Sequence, residues 1–187
     1  MVAIFDVAID FGGAVDAPGT VDSVATNLRF KDADNNTQDL LNPIVIPGAG
    51  NVLSRWKHCF LKCTTAPDTQ VDGVVFYSTT TPYPTGVVLL SGDETPVKTD
   101  ALTTGYDVSD VSDEAMTNHA DITATTDVGA TYTSSGSAKS VSITEAGTVI
   151  NLAGETTDYV VLQLQVASTA TQGTMPQETL RFEYNEV

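Results

Sequence analysis

Apolar and polar residues alternate with a period of two along much of this chain, most clearly near the C-terminus. In the run 159–166 one face carries Val160, Leu162, Leu164 and Val166, and the other carries Val161, Gln163 and Gln165. The run 179–185 alternates in the same way after a polar loop. This period is typical of antiparallel strands that bury one face. We therefore expect the two runs to form a hairpin that closes the domain.

Other strand candidates follow one another between turns rich in glycine, proline and aspartate, and no segment shows a helical period. Because a parallel α/β sheet needs crossover helices, that fold is excluded. The pattern predicts an all-β protein, an antiparallel β-sandwich of jelly-roll or immunoglobulin-like topology. The further candidates are residues 1–11, 23–31, 42–47, 54–65, 71–78, 86–90, 140–143 and 148–152.

Residues 54–65 give the strongest interior strand, because large apolar side chains fall on both of its faces. We expect both faces to be covered, with 71–78 as the hairpin partner of this strand. Its two cysteines lie about 13 Å apart along an extended chain, too far for a disulfide, so two buried free thiols are predicted. One face carries Trp56, His58 and Phe60, and the other carries Cys59, Leu61 and Cys63.

The N-terminal run carries a continuous apolar face. Phe5, Val7, Ile9 and Phe11 share this face, and a pair of glycines ends the run. We expect residues 1–22 to form an extended N-terminal arm or an edge strand. Its apolar face would serve as a partner-binding arm that adds a strand to a neighbouring subunit.

The remaining residues, 23–187, are predicted to form a single β-sandwich domain. The strand signal fades at about 91–139, where threonine, serine, aspartate and glycine dominate. This stretch is predicted to be a polar, loop-rich insertion, either an elaborated surface loop system or a region ordered by contact with another chain. A helix is expected to begin near Ser112.

The charge balance narrows the range of partners. Of the 187 residues, 24 are acidic and 8 are basic, which gives a formal net charge of −16. DNA and anionic lipid surfaces would repel such a molecule, so direct nucleic-acid binding and membrane binding are not expected. The N-terminus lacks the basic and apolar stretches of a secretion signal, and no run of about eighteen apolar residues occurs. Neither export nor a membrane span is therefore expected.

No arrangement of residues points to catalysis, and the chain is expected not to be an enzyme. The sequence contains neither a Gly-x-Ser-x-Gly elbow nor a phosphate-binding Walker loop. Of the two histidines, His58 is expected to pack within the sheet beside a hydrogen-bond partner. His119 is expected to be solvated.

Carboxylates are the one abundant reactive group. Asp107, Asp110, Asp113 and Glu114 crowd one segment, and residues 32–36 form another polar run. Calcium binds six to eight oxygen ligands, but neither segment matches the calcium-binding loop with its central glycine and terminal glutamate. A solvated acidic surface is the favoured interpretation. Calcium is the weaker alternative, and no other cofactor is expected.

One aromatic side chain is a candidate platform for stacking on a sugar. Tyr83 lies between two prolines and is predicted to be exposed. Trp56 and Phe76 instead fit the strand pattern as core residues. A carbohydrate-binding site would therefore depend on one tyrosine.

A set of strand segments carries a resemblance to a known family. The segments are 27–31 (Asn-Leu-Arg-Phe-Lys), 42–47 (Asn-Pro-Ile-Val-Ile-Pro), 54–58 (Ser-Arg-Trp-Lys-His), 74–77 (Val-Val-Phe-Tyr), 159–165 and 179–187. In these segments the chain resembles small structural proteins of tailed double-stranded DNA viruses of bacteria or archaea. The likeness covers the strands at both ends and little of 91–139. It implies a β-sandwich that coats or completes the head, or belongs to the tail, without catalytic residues.

The resemblance and the charge together give an expected function. We expect a capsid-exterior decoration, or cement, protein whose partners are the major capsid protein or other virion subunits. The chain would be made in the host cytoplasm, would join the virion, and would form a homo-oligomer such as a trimer. A tail or neck structural protein is the alternative within this class. A carbohydrate-binding attachment module is the alternative from another class.

Overall fold

The computed structural model describes residues 2–22, 24–38, 41–79, 83–94, 98, 105–143, 149–172 and 178–187. Within these residues the chain forms ten strands, two 3₁₀ helices and one short α-helix. The helices are Met116–Asn118 and Ser135–Ser137, both 3₁₀, and α1 (Val128–Thr131). The strands are β1 (Ile4–Ala14), β2 (Ala17–Asp22), β3 (Asn51–Leu53), β4 (Lys57–Thr65), β5 (Val71–Ser78), β6 (Val87–Glu94), β7 (Ile122–Asp127), β8 (Lys139–Ser140), β9 (Val160–Ala167) and β10 (Leu180–Glu186).

The strands form two antiparallel sheets, which confirms the predicted all-β sandwich. The large sheet has the order β2-β1-β4-β9-β6-β7, with β3 also paired to β9. The small sheet has the order β10-β5-β8. A sheet of seven strands thus faces a sheet of three, so the small sheet is too narrow to cover the whole inner face of the large one.

Both predicted hairpins are wrong. Strands β9 and β10 lie in different sheets, and so do β4 and β5. Strand β9 instead pairs with β4 and β6, and β10 pairs with β5. The alternation predicted correctly that β10 buries one face, whereas β9 is buried on both faces, with Val161 and Gln163 beneath the outer layer. Two strands that bury their faces against the same core can do so from opposite sheets, and the period of two does not distinguish the cases.

The N-terminal residues form part of the large sheet rather than an extended arm. Strand β1 pairs with β4 over residues 4–10 and with β2 over residues 9–14, so every part of the strand has a partner. Strands β1 and β2 form a hairpin, and β2 is an edge strand of the large sheet. The turn between the two strands is tight, because a Cβ on Gly13 would lie 2.3 Å from the Ala17 carbonyl oxygen.

The strand predicted over 23–31 is absent from the described residues 24–31. The Asn36 side chain occupies the position of a pairing strand there. Its Oδ1 accepts a hydrogen bond from the Arg29 N–H at 2.8 Å, and its Nδ2 donates to the Asn27 carbonyl at 2.8 Å. Because a side chain satisfies the backbone hydrogen-bonding groups here, the backbone does not form a strand although its sequence alternates.

The predicted loop-rich insertion contains more regular structure than its composition indicates. Strand β6 extends to Glu94, and β7 and α1 lie within the same stretch. No helix begins at Ser112, because Asp113 has a positive φ of 58° and the first helical turn starts at Met116. Residues 105–122, hereafter the covering segment, lie on the outer face of the large sheet.

The large sheet is therefore covered on both faces, as predicted for β4. Cys59, Leu61 and Cys63 pack in the inner core between the sheets. Trp56 and Phe60 pack in an outer core between the large sheet and the covering segment. Both cysteines are free and buried, as expected. The outer core comprises Ala8, Trp56, Phe60, Tyr106, Met116, Ile122, Tyr159 and Val161.

Candidate functional site

The four carboxylates predicted as weak calcium ligands do not converge. Asp107 is 3 % exposed and faces the outer core, whereas Asp110 is exposed. The Asp113 carboxylate accepts a hydrogen bond from the Leu53 N–H at 2.7 Å. Among the residues that the structure describes, no group of three or more His, Cys, Asp or Glu side chains could hold a metal ion.

The second polar run, 32–36, is also tied into the fold. Asp34 accepts hydrogen bonds from the Lys57 ammonium at 2.6 Å and from the Gly12 N–H at 2.6 Å. Burial lowers the pKa of Lys57, and Asp34 offsets part of that effect. These contacts hold residues 32–36 against β1 and β4. The Asp34 carboxylate is therefore already hydrogen-bonded within the chain.

His119 joins two of the predicted carboxylates and is not simply solvated as expected. Its Nδ1 lies 3.3 Å from Asp107 Oδ1, and its Nε2 lies 3.3 Å from Glu114 Oε1. The ring stands edge-on to Trp56, with 4.8 Å between the ring centroids. The covering segment folds back onto the sheet, and the Trp56 ring gives this histidine a surface to pack on.

His58 forms a pair with Glu94 at the centre of the outer layer, as a packed histidine with a hydrogen-bond partner. Its Nε2 lies 3.1 Å from Glu94 Oε1 and 3.3 Å from the Asp107 N–H. Burial lowers the pKa of His58 to about 3. Burial, reinforced by the nearby carboxylates of Asp158 and Asp107, raises the pKa of Glu94 to about 10.

Both partners are therefore uncharged at neutral pH. The Glu94 carboxylic acid donates to His58 Nε2, which also accepts from the Asp107 N–H. The contact is a hydrogen bond between neutral groups rather than an ion pair, because neither charged form is solvated at this depth.

A second buried pair joins β1 to the residue that precedes β9. The Tyr159 hydroxyl donates to Asp10 Oδ2, and burial raises the pKa of Asp10. The Lys98 ammonium lies 4.8 Å from the centre of the Phe60 ring and donates to Thr156 Oγ1 at 2.8 Å. Aromatic rings and polar groups thus alternate across this face and hold one another in place.

Some buried oxygens of this layer have no hydrogen-bond partner among the residues that the structure describes. They are Asp10 Oδ1, Glu94 Oε2 and Asp107 Oδ2, and burial also raises the pKa of Asp107. A raised carboxyl pKa is a property of acid catalysts, but a catalyst must also reach its substrate. Glu94 has a side chain that is 1 % exposed, and it does not line either of the two cavities described for this chain.

The predicted arm residues lie in the chain's own inner core. Ile9 is 1 % exposed, and Phe5, Val7 and Phe11 are half-buried against the same cluster. The Phe5 ring lies 4.8 Å from the Tyr184 ring of β10. This face is already used within the chain, so the arm interpretation is corrected to an integral strand.

Tyr83 is half-buried and does not form the expected exposed platform. Its hydroxyl donates to Ser78 Oγ at 3.2 Å, and burial raises its pKa. One side of its ring packs so closely on Gly129 that a Cβ there would lie 2.3 Å from Tyr83 Cδ2. The predicted core residues Trp56 and Phe76 are each 1 % exposed, as expected.

The feature that sequence reasoning missed is a cavity of about 970 Å³ between the two sheets. Protein interiors rarely leave voids larger than a water molecule, and this volume lies in the range of ligand sites. Its walls come from the inner face of the large sheet, from β5 and β10, and from residues within 25–38 and 41–46, which form no strand. Apolar side chains on these walls include Ile9, Phe76, Leu89, Leu162, Leu180 and Phe182.

One wall of the cavity is an unpaired strand edge. Strand β10 pairs with β5 on one side, and no described strand pairs with its other side. Leu180 and Phe182 point from this strand into the cavity. At the rim, Glu178 Oε2 is buried without a hydrogen-bond partner in the described part of the chain.

The sequence held one signal for this opening. Segment 24–46 carries apolar side chains at strand-like spacing, yet Pro43 interrupts it and Pro47 follows it directly. A segment that is apolar but cannot complete a sheet leaves the neighbouring sheet partly uncovered. The widths of the two sheets, which decide the size of the opening, depend on pairings that the sequence does not display.

Within the described residues, no helix is both long enough and apolar enough to cross a membrane. Comparison with models of protein families, with curated proteins and with solved structures finds no match for this chain. Function is therefore inferred from the residues of this chain and their geometry.

Proposed function

We propose that this chain is a non-enzymatic structural protein of a virus particle that sits on the capsid exterior and contacts neighbouring capsid subunits. The resemblance of segments such as 54–58 and 179–187 to structural proteins of tailed double-stranded DNA viruses supports the proposal. The all-β sandwich is the fold that this resemblance implied.

The observation that carries the proposal is that the chemically reactive side chains are engaged within the chain, whereas an apolar surface is left open. Four residues of the types that perform chemistry contact one another where the covering segment packs on the large sheet: His58, Glu94, Asp107 and His119. An apolar cavity and an unpaired strand edge remain open instead. Such surfaces suit the binding of other protein chains better than the conversion of a substrate.

The net charge supports an outward position in the particle. A charge of −16 disfavours contact with packaged DNA and with anionic lipid. The proposed partners are the major capsid protein and other virion subunits. A homo-oligomer such as a trimer would suit the symmetry axes of a capsid lattice. The chain would be made in the host cytoplasm and added to the assembling virion.

Quantitative mass spectrometry of purified particles tests this proposal. We expect many copies of the chain per capsid, as a lattice-covering protein requires. A few copies per particle would favour the tail or neck alternative. Absence of the chain from washed, infectious particles would contradict every virion assignment.

The attachment-module alternative gains no support from Tyr83, because the ring is packed against Gly129. Binding to a glycan array, abolished by Tyr83→Ala, is what that alternative requires. The decoration proposal expects no such binding.

A further inference from the structure

Four strands lie at the ends of the two sheets in the described residues, β2, β7, β8 and β10. With two residues, β8 is too short to bind an added strand, which leaves the edges of β2, β7 and β10 as candidates for contact with another chain. An unpaired edge presents N–H and C=O groups that can bind an added strand. The side chains of each edge decide whether an added strand would gain anything beyond these hydrogen bonds.

Two of the edges are poor acceptors. Strand β2 carries Pro18, which has no N–H, next to Gly19 in a tight turn region. Strand β7 presents threonines and an alanine at its exposed positions, so an added strand would bury little apolar surface there.

Strand β10 differs because its free edge borders the cavity. The Thr79 N–H donates to the Thr179 carbonyl at 2.9 Å, which directs the backbone groups of Thr179 towards β5. Since these groups alternate along an antiparallel strand, those of Leu180 and Phe182 point away from β5. The side chains of the same two residues line the cavity.

A ligand that fills this site must make two kinds of contact at once, backbone hydrogen bonds and apolar contacts. The free edge requires a row of backbone amides, and the cavity requires apolar side chains at every second position. A lipid chain would make only the apolar contacts. An extended peptide makes both, and the seven residues of β10 span about 20 Å, enough to pair with about six residues.

The charges near this edge indicate what else the peptide carries. Glu178 places at the rim a carboxylate oxygen that is buried without a hydrogen-bond partner among the described residues. Glu183 and Glu186 on β10 already accept hydrogen bonds from the Tyr77 hydroxyl and the Ala3 N–H. Cations are also present nearby, because Arg181 is exposed on β10 and Arg29 and Lys31 line the cavity. A lysine or arginine on the added segment would pair with Glu178. A second copy of this chain fits poorly, because its described alternating strands are already paired and each copy carries a charge of −16.

We infer that an extended segment of a partner subunit, with alternating apolar and basic or neutral residues, pairs with the free edge of β10 and fills the inter-sheet cavity. The identification of that partner as a virion subunit rests on the proposed function. The binding site itself rests on the edge, the cavity and Glu178.

Synthetic peptides test the site on the intact chain. The probe is acetyl-Lys-Val-Thr-Val-Thr-Val-Lys-amide, used with relatives that carry Leu, Ile or Phe in place of Val. The control is an isomer of the same composition in which the valines are adjacent. We expect saturable calorimetric binding with a Kd below about 1 mM for the alternating peptides, and at least about tenfold weaker binding for the isomer.

Hydrogen exchange distinguishes strand pairing from simple filling of the cavity. Bound peptide should slow exchange of the Leu180 and Phe182 amides at least about tenfold, because both become hydrogen-bonded. Failure of the whole peptide panel to bind would overturn the inference, and so would binding that leaves both amides unprotected. Palmitate serves as the apolar probe, and its binding in place of the peptides would likewise overturn it.

Two variants locate the site. Ala25→Phe places a ring in the cavity and should weaken peptide binding at least about tenfold, whereas Ala124→Phe on exposed β7 should not. Glu178→Gln keeps the shape of the rim and should weaken binding of the lysine peptides several-fold, mostly at low salt. The matched control Asp110→Asn removes a charge from an exposed position elsewhere. Unchanged binding in both test variants would exclude this cavity.

The peptide results and the particle results separate the two proposals. Peptide binding at β10 by a chain absent from particles would retain the site and refute the virion assignment. A chain abundant in particles that binds none of the peptides would retain the assignment and refute the site.

Discussion

The two faces of the large sheet are covered in different ways. The outer face is covered by the covering segment, whose His119 ring packs on Trp56 and whose Tyr106 ring packs on His58. The inner face is mainly apolar, with the buried Lys57–Asp34 pair as an exception, yet the small sheet leaves about 970 Å³ unfilled. The outer face buries polar groups at a cost in free energy, and it is closed. The inner face could have been closed by apolar packing, and it keeps an open cavity.

This difference shows where each kind of interaction is useful. Buried polar pairs such as His58–Glu94 need defined partners, so they fix one position of the covering segment. Apolar surface accepts any partner of suitable shape, so an open apolar cavity suits a site that another chain completes.

Removal of residues 1–11 should have the largest effect. This truncation deletes most of β1, which lies between β2 and β4 and supplies a wall of the inner core. We expect loss of cooperative folding, measured by thermal unfolding followed by circular dichroism. A truncated chain that still unfolds cooperatively would restore the arm interpretation.

Alanine substitutions on the two sides should differ in size. Trp56 is 1 % exposed and its Nε1 donates to the Asp107 carbonyl at 3.0 Å, so Trp56→Ala should cost about 3–5 kcal/mol in urea unfolding. Phe182 is half-buried beside an existing cavity, so Phe182→Ala should cost only about 1–2 kcal/mol. Equal losses would show that the two sides are packed equally well.

Glu94→Gln should stabilise the protein at alkaline pH. Because the pKa of Glu94 is raised from 4.5 to about 10 on folding, its protonated form contributes fully below pH 4.5, and that contribution is lost as the pH rises towards 10. Glutamine keeps the shape and the donor to His58 but cannot ionise. We expect a gain on the order of 2 kcal/mol at pH 8 and almost none at pH 5.

Denaturant unfolding at several pH values, with Asp110→Asn as an exposed control, measures this difference. The His58 side of the pair has the opposite sign. The pKa of His58 is lowered from 6.5 to about 3, so its contribution is complete above pH 6.5 and is lost as the pH falls towards 3. A Glu94→Gln variant that is destabilised equally at pH 5 and pH 8 would refute the neutral pair.

Calcium should have the smallest effect. Because Asp107, Asp110, Asp113 and Glu114 do not converge, calcium in excess of EDTA should shift the melting temperature by less than about 1 °C. Differential scanning calorimetry measures the shift. A rise of several degrees that Asp113→Asn removes would establish a site that the four carboxylates form only with the ion.

The sequence predicted the faces of the strands well and their partners poorly. The two faces of β4 were correct because alternation reports burial directly, as Trp56 and Cys59 show. The partners of β9 and β10 were wrong because pairing depends on loop paths and sheet widths. The His58–Glu94 pair joins residues 36 positions apart, and the cavity is a property of the whole sandwich, so no local pattern displayed either one.

Hydrogen exchange of the chain in purified particles, compared with the free chain, tests most directly whether its open side binds a partner subunit. Particle-bound chain should show slower exchange across residues 180–186, because an added strand protects that edge. The covering segment, 105–122, should exchange at the same rate in both states, because it already packs on the large sheet in the free chain. Unchanged exchange at 180–186 in the particle, with new protection at 105–122, would contradict the division between a sealed and an open face.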